Sequence, residues 1–329
     1  MLSTQAFLSE NIFQKPETAP TRDGFGKGLV EAADSDARVV ALCADLSEST
    51  RMLEFQKKYP ERFVEVGVAE QNLAALASGF AAAGKIPFIT SYAAFSPGRN
   101  NEQIRTTISL NDVPVKVIGS HAGISVGPDG ATHQALEDMA LMRVQPNMTV
   151  LSPCDSEEAR KATIAAAKSD GPIYMRLGRE KTPVMTTANT PFEIGKANVL
   201  WKAAAPQVAI FATGPLVHNA LLAAQQMDGD VAVVVVNIHT IKPLDRETIV
   251  REAKGAGSVV TVEEHQIAGG LGSAIAELLA AEAPVPMEFI GVRDQFGQSG
   301  DTKELIEHYG MGVSHIVDAA KRVVSRKSQ

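Results

Sequence analysis

Residues 149–175 read TVLSPCDSEEARKATIAAAKSDGPIYM. Thr149–Ser152 is a short apolar run that suits a buried strand. Asp155-Ser156-Glu157-Glu158 then places small polar and acidic residues where the positive end of a helix favours them. Alanines at helical spacing continue to Ser169, and Pro172–Met175 is apolar again. A strand, a helix and a second strand in so short a space predict two parallel strands joined by a crossover helix. The same alternation extends upstream. Val39–Cys43, Pro87–Ser91 and Val115–Gly119 read as buried strands, and Gln71–Ala83, Asn101–Asn111 and Gln134–Arg143 carry helical spacing of Ala and Leu. Such a chain builds a mostly parallel sheet covered on both faces.

Downstream the pattern breaks. Thr, Pro and Asn cluster over Glu180–Gly195, and the alternation resumes with strands at Gln207–Ala212, Val231–Asn237 and Ser258–Glu263 and helices from Leu216 and over Ser273–Ala280. The sequence therefore predicts an α/β protein of two three-layer domains, each with a mostly parallel sheet. The expected boundaries are an N-terminal segment at 1–19, a first domain at 20–183, a linker at 184–199 and a second domain at 200–329. A chain of 329 residues fits two domains.

Composition excludes several classes of function. The formal net charge of −7 argues against a polyanion-binding surface, while leaving room for a local basic pocket. No apolar run reaches the ~18 residues that span a bilayer. The N-terminus lacks a basic start followed by an apolar core, so it does not read as a signal peptide and the expected location is cytoplasmic. Cys43 and Cys154 sit in no metal-binding spacing and read as small hydrophobes.

Four constellations could carry chemistry. Glu70, in Val66-Gly67-Val68-Ala69-Glu70-Gln71-Asn72, opens an Ala-rich helix that is apolar nearly all round. It is either a carboxylate stabilised by the helix dipole or a buried carboxyl with raised proton affinity that bonds a ligand ring nitrogen. Tyr92 and Phe95 lie in Thr90-Ser91-Tyr92-Ala93-Ala94-Phe95-Ser96-Pro97-Gly98-Arg99, at a strand end where ligands gather in open sheets. Either ring could stack on a flat heterocycle, or both could be core. Ser120-His121 is followed by Gly127-Pro128-Asp129-Gly130-Ala131-Thr132-His133, and two histidines bracketing an acid on a loop suit hydroxyl recognition and proton transfer. A structural loop is the alternative, and the spacing fits no common zinc pattern. Arg22, Arg176 and Arg179 could hold phosphate or be surface charges. Two glycine runs are weak signals. Gly24-Phe25-Gly26-Lys27-Gly28 lacks the strand and spacing of a dinucleotide fold, and Gly269-Gly270-Leu271-Gly272 reads as close helix–sheet packing.

Taken together and in order, from about Pro20 to the C-terminus, these stretches resemble transketolase. The resemblance implies a thiamine diphosphate-dependent enzyme in which Glu70 bonds the cofactor's aminopyrimidine and promotes its reactive tautomer. It further implies that Phe95, with Tyr92 and Arg99 beside it, packs against the pyrimidine, and that Asp45 and Leu46 lie near the cofactor rings. Arg22, Ser49 and Arg179 fall where the family binds sugar phosphate, and His121, Asp129 and His133 where it binds substrate hydroxyls and moves protons. The second unit, with Thr261-Val262-Glu263-Glu264-His265, resembles the family's C-terminal domain, which mainly packs and dimerises.

One departure is large. The family's diphosphate domain carries Gly-Asp-Gly followed at some distance by an Asn pair that holds Mg2+, and this chain has no such motif; Asp228-Gly229-Asp230 has the wrong order. The expectation is a split transketolase, with Mg2+ and the diphosphate held by an N-terminal partner subunit in an alpha2beta2 heterotetramer. The competing readings are the beta subunit of a 2-oxo acid dehydrogenase, a relative of deoxyxylulose phosphate synthase, and a partner subunit without turnover. The first matches less well over His121–His133, the second typically has an acid in place of His121, and the third leaves Glu70, His121, Asp129 and His133 unexplained.

Overall fold

Thr149–Leu151 and Ile173–Arg176 pair in parallel, with Val150 opposite Tyr174 and Leu151 opposite Met175. Helix Ser156–Ala167 crosses between them, its first turn capped by the Asp155 side chain accepting from Glu158 N–H. The computed structural model describes residues 1–328. Around this unit the first sheet has seven strands, in the order Thr240–Lys242, Thr149–Leu151, Ile173–Arg176, Lys116–Ser120, Ile86–Tyr92, Val39–Cys43 and Phe63–Glu65. All neighbours are parallel except the edge strand Thr240–Lys242. The second sheet has the order Met287–Val292, Val259–Gln266, Val208–Ala212, Val233–Asn237 and Asn198–Lys202, with only the last strand antiparallel.

One strand crosses the expected domain boundary. Thr240–Lys242 comes from the second unit and closes the edge of the first sheet. One apolar cluster also spans both units, joining Leu73, Val117, Met142 and Val150 to Ile249, Leu271 and Ile275.

Two predicted helices are corrected. Asn101–Asn111 is an α-helical turn at Asn101–Gln103 followed by a π-helix over Ile104–Ser109. The helix expected over Gln134–Arg143 begins only at Asp138, because Gln134 spends its amide on loop carbonyls and Ala135 bridges Ala122. Apolar spacing alone could not show that its first turn belongs to a loop. The short strands Phe63–Glu65 and Thr240–Lys242 also lack a sequence signal, since each is only three residues.

The first glycine run acquires a structural reason. Helix Thr21–Ser35 lies so close to helix Ser156–Ala167 that a Cβ on Gly24 would stand 1.7 Å from Ser156 O, and one on Gly28 would stand 2.6 Å from Arg160 O. The second run is a helix start tied to the sheet. The Glu263 carboxylate accepts from Leu271 N–H at 2.7 Å and Gly272 N–H at 2.8 Å.

Candidate active site

The carboxyl ends of the first sheet's parallel strands collect the polar residues. Asp45, Leu46 and Ser49 follow strand Val39–Cys43, and Tyr92 ends strand Ile86–Tyr92. His121 follows strand Lys116–Ser120, and Arg179 follows strand Ile173–Arg176. Adjacent parallel strands end together, so side chains far apart in sequence meet at one rim.

Glu70 is the first residue of helix Glu70–Ala82 and is 2% exposed. Its carboxylate is paired rather than free: Arg99 Nη1 donates to Oε2 at 2.7 Å, from a side chain 49% exposed. The Glu70 backbone is fixed as well, since buried Asn100 donates from Nδ2 to Glu70 O at 2.9 Å and to Ser96 Oγ at 3.1 Å. Asn100 Oδ1 is buried without a partner. The Arg99 guanidinium lies 4.7 Å from the centroid of the Phe95 ring.

From Phe95 the site continues as an aromatic cluster. Phe95 and Tyr92 stack at 6.0 Å, Tyr92 and His121 lie 4.0 Å apart, and the His133 ring stands edge-on to Phe95 at 5.3 Å. His133 Nδ1 is bonded to Thr132 Oγ1 at 2.8 Å. Only Arg22 can donate in its 3.1 Å contact with His121 Nε2, because a guanidinium has no acceptor. Nε2 is therefore the acceptor, and the proton sits on Nδ1, which donates to Ser120 Oγ at 3.0 Å. Burial, reinforced by the charges of Arg22, Arg179 and Arg51, lowers the His121 pKa to about 3. This imidazole is thus a neutral acceptor through the physiological range, which narrows the proton-transfer role expected from its sequence context.

Arg22 also donates to Ser49 O at 2.7 Å, so Ser49 contributes its carbonyl here. Arg22 Nε is buried without a partner, and burial with Arg51 nearby pushes its pKa down. Arg179 donates from Nη1 to Val126 O at 2.8 Å and to Asp129 Oδ1 at 3.2 Å. The acidic chain therefore carries a local cluster of arginines at this rim.

Two expected residues stand apart from these hydrogen bonds. Asp45 has a left-handed backbone (φ 59°), its side chain is exposed and its N–H donates to Glu65 Oε1 at 2.7 Å. Leu46 is half-buried and packs against the first unit's core. Arg176 is corrected: it is neither a surface charge nor free for phosphate. It lies within its strand, pairs with Asp138 at 2.9 Å and donates from Nη2 to Glu264 O at 2.7 Å. Sequence reading also missed Glu65, which ties Asp45 N–H, Ser47 Oγ and Gly67 N–H together ahead of Glu70. An acid at a three-residue edge strand carries no local signal of that role.

The residues fit one half of an aminopyrimidine cofactor. A buried carboxylate at a helix start, aromatic rings beside it and an unpartnered Asn100 oxygen suit a flat heterocycle with N–H groups. Among the described residues no group of three or more His, Cys, Asp or Glu side chains is placed to hold a metal. No described helix is long and apolar enough to cross a membrane.

Comparison with known proteins agrees in scope. Residues 17–185 match the family model described as transketolase, pyrimidine binding domain, and residues 195–316 match transketolase, C-terminal domain. The chain is 42% identical over 308 residues to the 6-deoxy-6-sulfo-D-fructose transketolase subunit SqwH of Clostridium sp. (strain MSTE9), covering 93% of this chain and 95% of that one. It is 35% identical over 328 residues to mouse Transketolase-like protein 2, covering 99% of this chain but 52% of that protein. Among solved structures, a split gene transketolase described as an inactive beta4 tetramer superposes with a TM-score of 0.87 at 43% identity, over 94% of this chain and 99% of the other.

Proposed function

The chain belongs to the transketolase family, and on that premise we propose that it is one subunit of a split transketolase transferring a two-carbon ketol unit between sugar phosphates. The observation that carries this reading is Glu70: a buried carboxylate at a helix start, opening onto a rim of aromatic, histidine and arginine side chains. Thiamine diphosphate, when bound, supplies the carbon nucleophile and the electron sink that ketol transfer needs. Glu70 would hold a proton shared with the pyrimidine ring nitrogen, and Phe95 and Tyr92 would pack on the ring, with Arg99 at its edge. A sugar hydroxyl arriving beside Tyr92 would meet the Arg22–His121 pair, and would reach the His121 Nε2 lone pair by replacing the Arg22 donor there. His133 and Asp129 would bond further hydroxyls. Arg22 and Arg179 suit a terminal tetrahedral anion, through planar guanidinium donors that match its oxygens.

The diphosphate and its Mg2+ would be held by an N-terminal partner subunit, in an alpha2beta2 assembly of cytoplasmic location. Two findings support partner dependence: the sequence has no Gly-Asp-Gly, and a similar split gene transketolase is described as an inactive beta4 tetramer. The test is reconstitution. The purified chain should neither retain thiamine diphosphate nor transfer ketol groups, and should do both when mixed with a subunit bearing the diphosphate domain. Donors should include phosphorylated and sulfonated ketoses, since the relative's name specifies a sulfo sugar. Full turnover by this chain alone would refute the divided site.

A further inference from the structure

The loop from His121 to His133 belongs to the first unit, yet the second unit holds it. Glu264, 3% exposed in strand Val259–Gln266, accepts the Ser125 N–H on Oε1 at 2.5 Å. Thr302 Oγ1 donates to Ser125 O at 3.1 Å, so both backbone groups of one loop residue are bound from the second unit. Gln134 Nε2 reaches Ile124 O at 3.2 Å, Gly127 O at 3.3 Å and, in the second unit, Gln298 O at 3.0 Å. Gly123 has φ +88°, and a Cβ there would stand 2.3 Å from Glu264 Oε1, so the loop is shaped to the carboxylate.

Packing adds to these bonds on one side: Ile124 is buried in the second unit's apolar core with Leu305, while Ser125, Glu264 and Thr302 line a cleft of about 460 Å³ between the units. The same loop gives Arg179 its Val126 carbonyl and its Asp129 partner, and its two ends carry His121 and His133. A shift at Ser125 would therefore move an arginine, an acid and a histidine relative to the fixed Tyr92 and Phe95.

We propose that Glu264 is a positioning residue for the substrate loop: through its bond to Ser125, the second unit sets where Asp129, His133 and Arg179 meet the sugar. This goes beyond a packing role for that unit and rests on the reading of His121, Asp129 and His133 as substrate-facing. Charged acceptors make the stronger hydrogen bonds, and small displacements of positioning groups cost reactivity steeply.

The test uses Glu264→Ala, Glu264→Gln and the near-isosteric Thr302→Val. Amide hydrogen exchange on the full chain reads the anchor without any need for activity. Glu264→Ala should speed exchange over 122–133 and leave the sheets unchanged. Glu264→Gln, which keeps an oxygen acceptor without the charge, and Thr302→Val should each show a smaller rise than Glu264→Ala in the same segment. In the reconstituted complex, Glu264→Ala should raise KM for the sugar phosphate about tenfold and change kcat about twofold or less, with cofactor retention unaltered. Unchanged exchange in Glu264→Ala would overturn the anchor. Raised exchange with unchanged KM would overturn its role in positioning substrate. An equal loss of kcat and thermal stability in both Glu264 variants would show a merely structural carboxylate. Should Glu264→Ala fail to fold, Thr302→Val decides by the same two readings. Inactivity of the wild-type complex would count against the proposed function alone, and the exchange data would still decide the anchor.

Discussion

The two sheets of this chain present titratable residues at the carboxyl ends of their parallel strands, and they use them oppositely. At the first sheet, Arg99, Asp129 and Arg179 reach solvent, and Tyr92, Phe95 and His133 are only half-buried. At the second, Glu263, Glu264 and His265 are buried and fully engaged. Glu263 caps a helix, Glu264 holds a loop of the other unit, and His265 Nδ1 donates to Gln266 O at 2.6 Å, leaving Nε2 to accept Ala140 N–H at 3.4 Å. The lesson is that a strand end in an α/β sheet becomes a site only if its polar groups are not already committed to the protein.

The contrast can be broken by substitution. The largest expected effect is at the open end. Glu70→Ala should lower turnover of the reconstituted enzyme by about a thousandfold, on the order of 4 kcal/mol of transition-state stabilisation. Thermal unfolding should hardly change, because the Arg99 left behind is half exposed and can be hydrated. Near-normal turnover in that variant would remove the assigned role.

Glu263→Ala should do the reverse. Stranding the buried Leu271 and Gly272 N–H groups should cost about 2 kcal/mol in denaturant unfolding and leave KM untouched. A selective rise in KM would show that the second sheet's end is not purely internal. Arg179→Ala should raise KM for phosphorylated ketoses about tenfold, with a smaller change in turnover. An equal loss for a non-phosphorylated ketose would separate Arg179 from anion recognition and leave only its hold on Val126 and Asp129.

The last contrast is in pH dependence, where the two ends should slope in opposite directions. Burial raises Glu263 from 4.5 to about 7, so its contribution to stability is complete below pH 4.5 and lost as pH rises through 7. His121 is depressed from 6.5 to about 3, so the unfolded chain takes up that proton first. Its contribution is present above pH 6.5 and lost as pH falls towards 3. Difference curves against wild type should therefore show Glu263→Gln flattening the loss between pH 4.5 and 7, and His121→Gln flattening the loss below pH 6.5. Matching slopes for both variants would erase the distinction.

Much of the first end was legible in the residues. The strand–helix alternation gave the parallel sheet, and parallel strands bring their carboxyl ends to one rim, so Tyr92, His121 and Arg179 could be placed together. Asp155 was readable as a helix start and proved to cap one. The misreadings share a cause. Arg176 and Arg179 both come after the apolar run Pro172–Met175, yet one lies inside the strand with Asp138 and the other beyond it. A difference of three positions sets burial, and strand ends are not fixed by local pattern.

Sequence alone carried the resemblance to the family through the order of its motifs, and it determined the parallel α/β architecture and the types of side chain at the first sheet's rim, because periodicity and residue chemistry are local properties. Tertiary structure alone decided which of those groups are spoken for: that Arg99 covers Glu70, that Arg22 fixes the tautomer of His121, and that Glu264 of one unit holds Ser125 of the other. Hydrogen bonds between residues far apart in the chain are directional and depend on distances of a few tenths of an ångström, and no spacing along a sequence encodes them.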